Sequence, residues 1–166
     1  MRRRTKIKAD PEKAADPQAV RRASVALLAG RDFSSGELRE KLQSQGYEKG
    51  VVAEAVAELV EGGVLNDARY AENYVSYRAD RGQGPARIAV DLRALGVSSE
   101  VIDAALESVP DWAARARETR IRKFGVGLPE SWAEKGRQAR FLQYRGFSSD
   151  HIRAALDGDF DPDGEP

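Results

Sequence analysis

The chain has 166 residues, equal numbers of basic and acidic side chains at 27 each, 41% hydrophobic residues and only 7% aromatic ones. It has no cysteine and a single histidine, His151, which excludes disulfides, thiolate zinc sites, Cys nucleophiles and any His-based metal cluster. No apolar run approaches the roughly 18 residues of a membrane span, and the basic N-terminus lacks the apolar stretch of a signal peptide, so the expectation is a soluble cytoplasmic protein. Much of the hydrophobic fraction is alanine, which suits several small cores better than one large one.

The elements read as helices from end to end, and the expected fold class is all-α. Residues 1–15 carry Arg2, Arg3, Arg4, Lys6, Lys8 and Lys13 and few apolar side chains, so they are expected to form a flexible basic segment. Asp16-Pro17 offers a cap and a proline at the first helical position for a helix over 17–29, closed by Gly30. Ser34 and Glu37 have capping-box spacing for a helix over 35–45, closed by Gly46. Over 48–61 the residues Val52, Ala55, Val56 and Leu59 form an apolar stripe at helical spacing, and Gly62 follows. Asn66 or Asp67 starts a helix over 67–81; Gly84-Pro85 starts one over 85–95, ended by Gly96; Ser98 starts one over 98–108. The spacing predicts further helices over 111–124 before Gly125, from Pro129 over about 130–145 before Gly146, and from Ser148 over 148–157 before Gly158. Each glycine stands where a left-handed cap is expected. The end of the chain, DGDFDPDGEP, is a poor helix former and is expected to be disordered, with Phe160 either a docking anchor or simply exposed.

The chain also repeats itself. Leu42, Leu92 and Leu142 each lie four residues before Gly46, Gly96 and Gly146, at intervals of 50 residues. Tyr47, Val97 and Phe147 keep the register, as do Val52, Ile102 and Ile152, then Ala55, Ala105 and Ala155, then Val56, Leu106 and Leu156. This ladder predicts one three-helix unit used three times, over 16–62, 63–109 and 110–157, with an acidic tail over 158–166. Neighbouring units should pack end to end into an elongated, curved array.

Charge is segregated. Residues 110–149 hold nine basic side chains against four acidic ones, a net of +5, whereas from Asp150 onward only Arg153 opposes six acids. Such asymmetry accompanies polyanion binding, and equally a solvated surface. Arg137, Arg140 and Tyr144 share a face of one helix, Arg120 and Lys123 a face of the preceding one, and Arg145 follows. They make a candidate phosphate- or carboxylate-binding strip; Arg115, Glu118 and Arg122 read instead as local ion pairs. Tyr70, Tyr74 and Tyr77, with Arg81 behind them, are either a stacking platform for bases or core residues with their hydroxyls at the rim, Tyr77 being the most exposed. Glu37 reads as the return half of its capping box and Asp67 as a helix cap, not as catalytic acids. His151 has no nucleophile to pair with, and there is no phosphate loop, so neither an enzyme nor a nucleotide hydrolase is expected, and no catalytic residue, metal or cofactor is assigned.

Three motifs then point to a family. RDFSSGELREKL over 31–42 with Gly46-Tyr47, LNDARYAENYVSYR over 65–78 continuing to Gly82, Pro85, Ile88, Leu92 and Gly96, and RFLQYRGF over 140–147 occur in order. The chain resembles the RecX family over roughly 17–157, most weakly over 111–136, where Lys123-Phe124-Gly125 carries the likeness. The resemblance implies tandem three-helix repeats and a regulator in DNA recombination, repair and the SOS response. It implies a partner, RecA and its filament on DNA, whose recombinase, ATPase and co-protease activities it mainly reduces. Contact with DNA itself would be weak or indirect, and a monomer is expected. Arg31, Arg69 and Arg78 fall inside these motifs. They either contact RecA or DNA, or tie repeats together through Asp67, Glu72 or helix ends. The alternative function is a helix-turn-helix-like DNA binder acting without RecA, since three-helix units can present a recognition helix.

Overall fold

Alternating stop and start signals cut the chain into short helices, each amphipathic enough to need neighbours. The computed structural model describes residues 13–156. Among them are α1 (Pro17–Leu28), α2 (Ser35–Ser44), α3 (Lys49–Glu61), α4 (Asp67–Asp80), α5 (Pro85–Ala94), α6 (Ser99–Glu107), α7 (Trp112–Phe124), α8 (Trp132–Arg145) and α9 (Ser149–Ala155), and no strand. These group into tandem three-helix repeats, α1–α3, α4–α6 and α7–α9. The basic residues before Lys13, the acidic tail, Phe160 and Gly158 lie outside the described residues.

The ladder is the inner face of the repeats. Leu42, Leu92 and Leu142 are fully buried, as are Val52 and Ile102, with Ile152 nearly so. In the first repeat Val20, Leu38, Leu42, Val52 and Val56 pack with Phe33 and Leu65. In the third, Ala116, Leu142, Phe147, Ile152 and Leu156 pack together, with Trp112 and Phe141 against them. Alanines at 55, 105 and 155 let the helices come close, which is why an alanine-rich composition still closes a core.

Polar side chains at the helix starts set where the helices begin. Asp16, Ser34, Ser98, Asp111, Ser131 and Ser148 each accept a backbone N–H in the first turn. Asn66, rather than Asp67, caps α4, accepting from the Arg69 N–H at 3.0 Å. Several expectations are corrected. α8 begins at Trp132, not near Pro129, because the Ser131 hydroxyl takes the Glu134 N–H. Gly62 has φ −75°, and Gly63, at +71°, makes the left-handed turn after α3; Gly30 is not left-handed either. Glu37 does not return to its cap, because its carboxylate is held by Arg31 at 2.9 and 2.5 Å.

The described chain divides into two compact units, one running to Tyr70 and including Leu95–Val97, the other taking Ala71–Ala94 and continuing from Ser98. Within the first, the start of α2 meets the turn after α5. Ser34 Oγ donates to the Leu95 carbonyl, and Gly36 and Gly96 touch backbone to backbone. Asp67 crosses to the same place, accepting from Ser35 N at 2.7 Å and Ser35 Oγ at 2.6 Å. Within the second unit the arrangement recurs one repeat later: Gly84 N donates to Arg145 O at 2.8 Å and Ala86 N to Gly146 O at 3.1 Å. In each case unsatisfied N–H groups or a capping hydroxyl at one helix start meet orphan carbonyls at another helix end.

Candidate basic interaction site

The second unit gathers cations at the end of α4. Gly82, at φ +77°, turns the chain there, and a Cβ on it would lie 2.8 Å from Thr119 Oγ1. That hydroxyl donates back to the Arg115 carbonyl of its own helix at 2.8 Å, which orients the Thr119 side chain beside the turn. Arg122 Nη1 donates to the Asp80 carbonyl at 2.8 Å, and Arg145 Nη1 reaches the Arg81 carbonyl at 3.5 Å. The orphan carbonyls and negative dipole end of α4 therefore draw in one arginine from α7 and one from α8. The result is a pocket of about 200 Å³ lined by Arg81, Thr119, Arg122, Lys123, Phe141 and Arg145. Two of the guanidinium groups are held by aromatic faces: Arg81 lies 4.7 Å above the Tyr77 ring and also donates to its hydroxyl, and Arg145 lies 5.3 Å above Phe141. Stacking of this kind fixes a guanidinium plane while leaving its outer N–H groups available.

Of the residues singled out in the sequence, Arg81, Lys123 and Arg145 meet at this pocket. Arg120 does not, and its place in a surface strip is corrected. It is 2% exposed, with Nη1 donating to Gly127 O at 2.8 Å and Nη2 to Val126 O at 3.2 Å. The Gly-rich turn after α7 leaves carbonyls pointing inward, and Arg120 satisfies them. Arg137 and Arg140 are exposed on α8; Arg137 lies 5.6 Å over Phe124 and 3.8 Å from Glu134. Tyr144 is 75% exposed beside them, with Arg87 5.4 Å over its ring.

The family-motif arginines serve several ends. Arg31, in the first unit, pairs with Glu37 and lies 3.6 Å over Phe33; the hydrogen bond to Glu37 raises its pKa. Arg69 is exposed in the first turn of α4. Arg78 is half-buried, donating to Tyr74 Oη at 2.7 Å, while that hydroxyl lies 3.4 Å from the Asp91 carboxylate. Burial pushes the Tyr74 phenol above its ordinary pKa, against the pull of Arg78. Tyr70 and Tyr74 are half-buried and Tyr77 is 56% exposed. His151 closes the capping box of α9, its Nδ1 accepting from Ser148 N at 3.3 Å, and burial pushes its pKa down despite nearby Asp150 and Asp111.

Arg122 is the residue the sequence concealed. Its spacing suggested an ion pair with Glu118, but Glu118 lies 3.8 Å from Arg115, which also holds the Asp80 carboxylate at 2.9 Å. Only the approach of the α4 end to α7 turns Arg122 toward the pocket. Among the described residues, no three of His, Cys, Asp and Glu gather as a metal ion would require, and no helix is long and apolar enough to cross a membrane.

Comparison with known proteins follows the same division into repeats. Family models for the first, second and third three-helix domains of RecX match residues 21–59, 66–106 and 111–156. The regulatory protein RecX of Halorhodospira halophila is 47% identical over 145 residues, covering 87% of this chain and 90% of the relative. That of Pseudomonas fluorescens is 44% identical over 141 residues, covering 84% and 91%. The crystal structure of RecX from Lactobacillus salivarius superposes with a TM-score of 0.73 at 22% identity, over 85% of this chain and 94% of that one, a likeness of fold.

Proposed function

The chain belongs to the RecX family, and from that premise we propose that it binds RecA and RecA–DNA filaments and mainly inhibits their recombinase, ATPase and co-protease activities. The observation that carries this reading is the ordered match of all three RecX domain models, each falling on one three-helix repeat. The surface fits a binding role. Arg81, Lys123 and Arg145 around the pocket, and Arg137 and Arg140 on α8, are cations presented by rigid helices, suited to the phosphates and carboxylates of a nucleoprotein filament. Arg31, Arg69 and Arg78 form a second set of candidate contacts in the first two repeats. With the lone histidine engaged in a helix cap, the chemistry on offer is recognition rather than catalysis.

The test is the ATPase rate of RecA on single-stranded DNA with and without this protein, beside its binding to the same DNA alone. Inhibition at concentrations that leave free DNA unbound is the expected outcome. Tight binding to free DNA with no effect on RecA would favour the DNA-binding alternative and sink this one.

A further inference from the structure

We propose that the pocket of the second unit is an oxyanion site for a phosphate dianion, the terminal phosphomonoester of a nucleotide or nucleic-acid end, or pyrophosphate. This goes beyond the filament-binding reading and does not depend on it. The first support is charge. Arg81, Arg122, Lys123 and Arg145 line one pocket, and none of them makes an ion pair among the described residues. The acids of the flanking helices are committed elsewhere, Asp80 and Glu118 to Arg115. The bland account is that these cations cap helix ends, and it is partly right, since α4, α7 and α8 all finish at the pocket. A helix C-terminus is worth only about half a negative charge, so these ends offset about −1.5 of four full positive charges. Arg115 offsets only one of the two carboxylates it holds, so Asp80 and Glu118 leave a net charge of about −1 beside the pocket, and the remainder unmatched by protein is about +1.5. A phosphodiester carries one negative charge, whereas a terminal phosphate carries about −1.5 to −2, so the residue of charge favours the dianion.

The second support is geometry. Arg122 spends Nη1 on the last α4 carbonyl, which orients its guanidinium and leaves the other N–H groups for a ligand, and Arg145 Nη1 makes a longer contact of 3.5 Å with the Arg81 carbonyl just beyond α4. Arg81 and Arg145 are further held by Tyr77 and Phe141. Forks fixed in this way lose little freedom when they take an oxyanion. The third support is size. About 200 Å³ is less than the roughly 300–1,000 Å³ of sites that enclose a drug-sized ligand. The pocket would hold the phosphate end and leave a base and sugar outside.

The experiment uses the full chain without RecA. Pyrophosphate, inorganic phosphate, dTTP and oligo-dT with or without a 5′-phosphate are titrated at about 0.15 M KCl, near physiological ionic strength. Binding is read by calorimetry and amide chemical shifts. Saturable binding of pyrophosphate is expected, with shifts centred on Gly82, Lys123 and Arg145. The 5′-phosphorylated oligomer should bind more tightly than its unphosphorylated twin. Arg122→Gln should weaken pyrophosphate by at least about tenfold, the worth of a charge-assisted hydrogen bond, and Arg93→Gln, on the exposed surface of α5 and not part of the pocket lining, should not. Because Arg122 also caps α4, the exposed Lys123→Glu is the variant that decides if Arg122→Gln unfolds, and it too should weaken binding at least about tenfold. A phosphorylated oligomer that outbinds dTTP identifies a nucleic-acid end as the source, and the reverse identifies a free nucleotide. Absence of saturation by pyrophosphate, equal binding of the two oligomers, or Lys123→Glu binding as wild type would each overturn the proposal.

Discussion

The same substitution at two equivalent helix positions should move stability in opposite directions. Gly36 is the second residue of α2 and Gly50 the second residue of α3. Local physics treats them alike: alanine at a helical position compatible with it gains about 0.4–1 kcal/mol, chiefly by restricting the unfolded chain. The tertiary surroundings differ. Nothing lies within 4 Å of a Cβ on Gly50, whereas one on Gly36 would sit 2.6 Å from Gly96 Cα and 2.9 Å from the carbonyl oxygens of Gly96 and Leu95. Those neighbours are backbone and cannot rotate aside, so the overpacking cost of about 1–3 kcal/mol applies. Gly50→Ala should therefore stabilise by up to about 1 kcal/mol, and Gly36→Ala should destabilise by about 1–2 kcal/mol after its local gain. With about 2–4 °C per kcal/mol for a chain of this size, the melting temperatures should separate by about 3–12 °C with wild type between them. Gly96→Ala should fall lower still, because its φ of +76° adds the left-handed penalty of about 1–2 kcal/mol to the same clash. Thermal melts followed by circular dichroism measure all of these, with Ser99→Ala on exposed surface as the reference. If Gly36→Ala and Gly50→Ala both raise the melting temperature, the close approach of the two backbones is wrong.

Other residues give independent checks. Arg120→Ala should cost about 3 kcal/mol or more in urea unfolding, since it empties a buried site and orphans the carbonyls of Val126 and Gly127; a change within about 0.5 kcal/mol would restore Arg120 to the surface. His151 has a lowered pKa in the folded chain, so the unfolded chain takes up its proton first. The stability it contributes is complete above the unfolded value of about 6.5 and is lost as pH falls through the folded pKa. The denaturation midpoint should drop more between pH 7.5 and 5.5 for wild type than for His151→Gln, and parallel profiles would refute the burial argument. Arg137→Ala with Arg140→Ala should weaken inhibition of RecA and flatten its salt dependence while leaving stability within about 0.5 kcal/mol. Superimposable ATPase curves across a salt series would make this face of α8 merely solvated and move the contacts to Arg31, Arg69 and Arg78.

The sequence by itself determined the repeat. Helix starts and stops are local chemistry, a hydroxyl or carboxylate three residues before a free N–H and a glycine where φ must be positive, and Ser98, Ser148, Gly96 and Gly146 do what their spacing demands. Leu42, Leu92 and Leu142 are buried because a residue at a fixed register of an amphipathic helix has one inner face to point to. The family was legible for the same reason, its motifs being runs of such local signals. Where the signals were doubled, the neighbour took the role: the contact with Ser35 engages Asp67 and leaves the cap to Asn66, and the left-handed turn falls on Gly63 beside Gly62. Tertiary structure alone decided the fate of the charges. Arg120, Arg122 and Lys123 look alike in sequence, yet one is buried on carbonyls, one caps a helix from another repeat and one is exposed. A guanidinium is bound wherever carbonyls or carboxylates converge, and that convergence depends on how helices far apart in sequence pack, which no local pattern encodes.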